Sequence, residues 1–481
     1  GFDGSRFTGF DASDFGGGVE RVDLGGATVV PAFADCHVHF TGTGYAVGAR
    51  DLRDVRDARE FARRVAELEP DGSFVLAGSY DESTWQDGGQ AGAEVLDRFH
   101  PERTTLLVRV DGHSALVNRK TLAELALEDE PDGIERASDG TPTGRLFGAT
   151  NWLAQRRFHA RVPETVRRAA ERRAYALALG AGAVHLHAQL MGFESRAAYA
   201  HEIEALRELG PLKWYPKICE RDPALALELG LPFIGGDVFL DGSFGSGSAA
   251  LRAPYCDRPG NGRLVLDDDA LHEFFARAEA LGVSAGVHAI GDRAIEQCLR
   301  AWESVLAGRP SARNRHFIEH FELATPEQIQ RSARLGLFLS MQPQFEANWG
   351  GPGGMYEARL GAERAGRLNA LGSALRAGAT LCGGDDSPVC ALSPLRGMGA
   401  ACAHHVPAER LEPLEALTMY TYDAARLGHA ETHAGALLPG YDADFVVLDR
   451  DPFDGAAFEQ TRVLETWIDG RRVFSADAVV K

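Results

Sequence analysis

Lysine is nearly absent from this chain. Four residues, Lys120, Lys213, Lys217 and Lys481, stand against 46 arginines among the 50 basic positions. With so few, a lysine inside an apolar stretch is worth inspecting, and Lys217 in Trp214-Tyr215-Pro216-Lys217-Ile218-Cys219 is one. Positive charge is short as well: 69 acidic residues outweigh the basic ones, leaving a net charge of −19 and a pI near 5.3. That balance argues against a nucleic-acid or anionic-membrane partner, since both require a basic face. No CxxC pair occurs, and the seven cysteines are scattered and odd in number. Reduced thiols and a cytoplasmic home are the expectation. No apolar run approaches the length of a membrane-spanning helix, no charged-then-apolar leader is visible, and neither internal repeats nor low-complexity segments appear.

Helix and strand patterns alternate through the middle of the chain. Pro163–Leu179 puts Val166, Ala170, Ala174 and Leu177 on one helical face, and Ala183–His187 follows as a strand. Asp268–Leu281 places Leu271, Phe274, Phe275 and Ala278 at helical spacing, with Gly282 as its stop before the strand Val283–His288. Helical spacing recurs at Ile295–Leu306, after Thr325-Pro326 and at Leu368, Leu371 and Leu375. Each is followed by a strand-like run: His316–His320, Leu337–Met341 and Thr380–Gly383. This order implies parallel strands with right-handed crossovers, an α/β fold best described as a (β/α)8 barrel. The barrel is expected over 31–430, with an insertion at 41–160 after its first strand. Residues 1–30 and 431–481 carry short strands and Pro-Gly or Asp-Gly turns, and are expected to pair into a small β-sandwich domain.

The stretch Val30–Phe40 reads as a buried strand ending in His37-Val38-His39. Residues i and i+2 of a strand point to one side, so the two imidazoles project together, as ligands of one divalent metal would. The competing reading is a pair of hydrogen-bonded structural histidines. Other strand ends carry His288, His320 and Asp386. In a barrel these ends share one mouth, and four histidines with an aspartate there point to a metal site. His316 and Glu319 offer His320 a structural pairing instead. His404-His405 reads as a surface pair on a helix.

The order of these residues resembles the amidohydrolase superfamily, and the finer text resembles its YtcJ-like branch, which includes N-substituted formamide deformylase. The matching pieces include Asp35-Cys36-His37-Val38-His39, Asp111-Gly112-His113-Ser114, Asp241-Gly242-Ser243, Val287-His288-Ala289-Ile290-Gly291-Asp292, Met341-Gln342-Pro343-Gln344 and Asp386-Ser387-Pro388. The resemblance implies a metal-dependent amidohydrolase that cleaves a C–N bond, of amide or N-formyl type, with a metal-activated water. His37, His39 and Asp386 would hold one divalent metal, with zinc the first candidate, and His288 and His320 a second. Asp386 would act as catalytic base. Substrate contacts would come from His113, Trp85, Tyr255 and Gln344. The expected partner is a small-molecule substrate, and a homodimer is compatible with it.

Two positions depart from the branch. A lysine that bridges two metals when carboxylated usually stands four residues before Asp-Gly-Ser; here the position is Asp237. Strand parity turns Asp237 inward, so it is counted among the metal residues, as a bridge or as a ligand of one ion. Lys217 could supply a carbamate instead, against an alternative as a solvated or salt-bridged lysine. Gly148 stands where a glutamate is common. These departures keep two rivals open: a mononuclear deaminase of a cyclic nitrogen compound, and a catalytically inactive barrel acting as a binding or regulatory protein.

Overall fold

Eight parallel strand positions carry the molecule's core. The computed structural model describes residues 1–10, 19–87, 89, 91–127, 133–191 and 195–476. In chain order the strands are β1 (Phe33–Val38), β2 (Ala183–Leu190), β3 (split into Lys213–Trp214 and Lys217–Ile218), β4 (Phe233–Phe239), β5 (Ser284–Ala289), β6 (Phe317–His320), β7 (Phe338–Met341) and β8 (Thr380–Gly383). β1, β2 and β3 form one parallel sheet, and β4 to β8 another in sequence order. The first and last strands are tied by backbone bonds from Asp386 N to His37 O (2.8 Å) and from His39 N to Ser387 O (2.9 Å). This is the (β/α)8 arrangement, with the helices outside.

Local chemistry explains the units. The helix Asp268–Leu281 starts where the Asp267 side chain accepts from Ala270 N, and it stops at Gly282, whose φ of 74° suits a residue without a Cβ. Its buried Phe275 stacks on Trp302 of the next helix, Asp292–Val305, at 3.8 Å between ring centres. The helix Pro326–Arg334 has a full capping box between Thr325 and Gln328. Two expectations shift by a residue or more. Leu177 is exposed and Ala178 takes its place on the inner face of Glu164–Gly180. Leu368 precedes its helix, which runs only over Leu371–Arg376, because Asn369 turns to φ 49° and donates its N–H to Glu322 O.

The stretch Val30–Phe40 is two strands rather than one. Thr28–Pro31 pairs antiparallel with Phe445–Leu448, and the chain changes sheet at Ala32 before entering β1. The sheet from the two chain ends has the order Arg471–Ser475, Val463–Ile468, Phe445–Leu448, Thr28–Pro31, with a two-stranded ribbon, Phe2–Asp3 and Arg6–Phe7, beside it. Residues 11–18 and 477–481 lie outside the described residues. Between β1 and β2 a five-stranded mixed sheet begins at Phe74–Tyr80 and Thr104–Arg109, and brings Arg109–His113 over the barrel mouth. Among the described residues, no helix is long and apolar enough to cross a membrane.

Candidate metal centre

His37 lies wholly buried one residue before the end of β1, and His39 one residue past that end, with a quarter of its side chain exposed. Across the mouth, Asp237 projects from β4 between four imidazoles. Its Oδ2 lies 3.3 Å from His37 Nε2 and 3.1 Å from His39 Nε2. Its Oδ1 lies 3.6 Å from His288 Nδ1 and 3.7 Å from His320 Nε2. Asp386, just past β8, places Oδ1 at 3.3 Å from His37 Nε2 and 3.1 Å from His39 Nε2. Two three-residue groups therefore have donor atoms within 4.8 Å of one another: His37, His39 and Asp386, and His37, Asp237 and His320. Asp386 and His320 hold left-handed backbone angles, φ 53° and 72°, of the kind that collects at functional sites.

The donors fit a divalent cation. His37 Nε2, Asp237 Oδ1, His288 Nδ1 and Asp386 Oδ1 are all buried without a hydrogen-bond partner, although they face one another closely. Buried polar atoms of that kind are costly unless something satisfies them, and a cation does so for imidazole nitrogens and carboxylate oxygens together. The charges agree. Burial pushes the Asp237 and Asp386 carboxyls up, but the facing imidazoles outweigh it and hold both well below the usual range. Burial pushes His39 down, while Asp237 and Asp386 override it and raise the imidazole to about 9. His288, buried and next to the charge of His320, falls to about 3.

A second layer aims the ligands. Glu319 Oε2 sits 2.8 Å from His37 Nδ1, which leaves Nε2 free on the metal side. Lys217 is fully buried; its Nζ donates to Glu319 Oε1 (2.7 Å) and Cys36 O (2.8 Å) and rests over the Phe317 ring. Burial pushes the Glu319 carboxyl up, but Lys217 and His37 together keep it ionised. Gln189 Nε2 donates to Glu319 Oε1, and Gln342 Oε1 faces His320 Nδ1 at 2.8 Å.

The structure sorts the candidates read from the sequence. His37, His39, Asp237, His288, His320 and Asp386 converge on one cluster, with His113 beside His288 at 5.4 Å between ring centres. Trp85 does not reach the cavity; it packs on Phe61 inside the insertion, because an indole there fills that smaller core. Tyr255 is a loop staple, donating to Ala249 O (3.0 Å). Gln344 is spent on Asp385 Oδ1 and Ala391 O. Lys217 is neither solvated nor beside the ligands, since Glu319 stands between. His320 takes its structural bond from Gln342, not from His316, which pairs with Glu279. His404 is buried outside any helix, and its neighbour His405 lies 3.1 Å from Glu346. Glu319 was read as a pairing for His320 and instead faces His37; Gln189 and Gln342 were given no role, although Gln342 lies directly after β7, where Gln344 drew the reading instead.

The cluster lies in a cavity of about 1260 Å3. The sequence profile of the amidohydrolase family matches residues 20–474. The chain belongs to the amidohydrolase family. It is 31% identical to "Protein LONG AFTER FAR-RED 3" of Arabidopsis thaliana, over 95% of this chain and 84% of that protein. It is 26% identical to "N-substituted formamide deformylase" of Arthrobacter pascens, over 94% and 89% of the two chains. Among solved structures, an uncharacterized metal-dependent hydrolase from Pyrococcus furiosus superposes with a TM-score of 0.70 at 28% identity, covering 90% of this chain and 89% of that one. Family and donor set together make this amidohydrolase a metal-dependent hydrolase.

Two outcomes follow from the charge layout. Lys217→Met strands the buried Glu319 carboxylate and should lower unfolding stability by about 3–5 kcal/mol, with the Lys217→Met/Glu319→Gln double variant recovering part of it. Chemical denaturation measures this, and a single variant within about 0.5 kcal/mol of wild type refutes the pairing. Metal must also displace the protons that the carboxylates hold on His37 and His39. Apparent affinity should therefore rise with pH up to about 9, where His39 loses its proton. Titration calorimetry in buffers of different ionisation enthalpy should register proton release; heats independent of buffer would contradict it.

Proposed function

We propose that this chain hydrolyses a C–N bond in a small amide or N-formyl compound, using two divalent ions, with zinc the first candidate. The observation that carries the reading is the Asp237 carboxylate, one oxygen turned to His37 and His39 and the other to His288 and His320. His37, His39 and Asp386 would hold one ion, His288 and His320 the other, with Asp237 shared. This arrangement favours two ions over a mononuclear deaminase site. An aspartate is shorter than a carboxylated lysine, and here it stands at the centre of the cluster.

A bound divalent ion supplies Lewis acidity, acidifying water and polarising a carbonyl. The chain's residues do the rest. Asp386, ionised near neutrality, takes the proton of the attacking water and passes it to the leaving nitrogen. His113 lines the cavity beside His288 and is pushed down by burial, so its neutral ring can donate to the carbonyl oxygen as negative charge develops there. Glu319 and Lys217 hold the His37 ring in place from behind.

Metal analysis of protein purified without chelator tests the centre. About two equivalents per chain are expected, and less than about half an equivalent would end the proposal. Asp386→Asn should lose about 10²–10⁴-fold in kcat on any amide that the wild type turns over and keep its fold by circular dichroism. Undiminished turnover would remove Asp386 from the base role.

A further inference from the structure

Two recesses meet at the metal centre, and they differ in size and character. The outer one is the cavity of about 1260 Å3, which runs outward past Trp152, Glu202, Glu220 and Arg221. The inner one holds about 50 Å3, between the insertion and the segments that follow β4 and β7. His113, His288, His320 and Asp386 line both. A bond held at this centre therefore has one arm in each.

The inner walls are apolar: Phe244, Ile290, Phe345, Trp349, Met355 and Tyr356. Phe345 lies parallel to the His320 ring at 5.9 Å, and Phe244 meets Tyr356 edge-on at 5.6 Å. The charged groups at its rim are already engaged. Arg109 pairs with Asp81 (2.6 Å) and Asp111 (3.1 Å), Glu322 accepts from Tyr356 OH (2.6 Å), and Trp349 Nε1 donates to Asp81 Oδ2. Such a recess favours an alkyl group and penalises a charge. Its volume suits roughly three to five water-sized groups at about 10–15 Å3 each, a third of the roughly 150 Å3 that admits benzene.

We propose that the inner recess seats the acyl chain of the substrate and limits it to a short alkyl group of about two to four carbons, with the N-substituent in the outer cavity. This rests on the C–N hydrolase reading above. The products decide the orientation. Hydrolysis adds one water: the C–N bond breaks, a C–O bond forms, and at neutral pH an aliphatic amide yields a carboxylate and an alkylammonium. The carboxylate head stays at the metal centre with its tail in the apolar recess. The ammonium needs room for water around it, which the outer cavity of about 1260 Å3 gives; the lining there carries both signs, Glu164, Glu202 and Glu220 with Arg156, Arg167 and Arg221. The reverse orientation would leave a cation among Phe345, Trp349 and Met355.

The test is a series of N-cyclohexyl amides whose acyl group grows from formyl through acetyl, propionyl and butyryl to benzoyl, turned over by the metal-loaded enzyme. kcat/KM should rise about fourfold per methylene to propionyl or butyryl and fall at least about tenfold at benzoyl. Met355→Ala should move the optimum to longer chains, and Val389→Phe, at a residue that lines both recesses where they meet, should confine it to formyl and acetyl. Benzoyl equal to propionyl in the wild type, or an unmoved optimum in both variants, overturns the proposal. Calorimetric binding of acetate, propionate, butyrate and benzoate reads the same profile without turnover. Cleavage of no amide alongside a short-chain optimum in carboxylate binding would sink the C–N reading and uphold the recess. Cleavage with no acyl-length dependence would do the reverse.

Discussion

Six side chains at one barrel mouth, four imidazoles and two carboxylates, all buried but the partly exposed His39, are tolerable only as a unit. Asp237 is the hinge of that unit. Without a charge between the two histidine pairs, like-charged or desolvated rings would face each other across a few ångströms; with it, each pair has a counter-ion. The rest of the centre is organised to keep that geometry. The bonds between His37, His39 and the segment Asp386–Ser387 join β1 to the end of β8, so the seam of the barrel and the ligand set are made by the same residues.

The buried Lys217–Glu319 pair extends the same logic backward. Glu319 orients His37, and Lys217 keeps Glu319 charged in a place where a lone carboxylate would take up a proton. The lysine thus acts on the centre through two other residues rather than by touching it. On the solvent side the insertion matters most. It delivers His113 and the Arg109 ion pairs to the mouth, and so divides the space above the centre into a roomy side of mixed lining and a narrow aromatic one.

Much of this was readable in advance, for definite reasons. Helix caps and stops are local, so Gly282 and Thr325-Pro326 marked their helices where they occur. Strand parity is equally local, which is why His37, His39 and an inward-facing Asp237 could be placed before any coordinates. Reading failed where the deciding contact lies far along the chain. Val30 and Pro31 looked continuous with β1, yet they pair with Phe445 and Val446, some four hundred residues away. Trp85, Tyr255 and Gln344 looked like substrate contacts on the family resemblance alone. Which way each side chain turns is set by cores and carbonyls that no local pattern reveals.

The sequence by itself determined the alternation of helix and parallel strand, the positions of the ligand-type residues at strand ends and the acidic net charge, because periodicity and composition act over a few residues at a time. Only the tertiary structure decided what those residues do to one another. It put the Asp237 carboxylate between two histidine pairs, hid Lys217 behind Glu319, and set a 50 Å3 recess beside the centre. Those outcomes depend on distances between side chains contributed by β1, β3, β4, β5, β6 and the end of β8, and such distances exist only once the chain has folded.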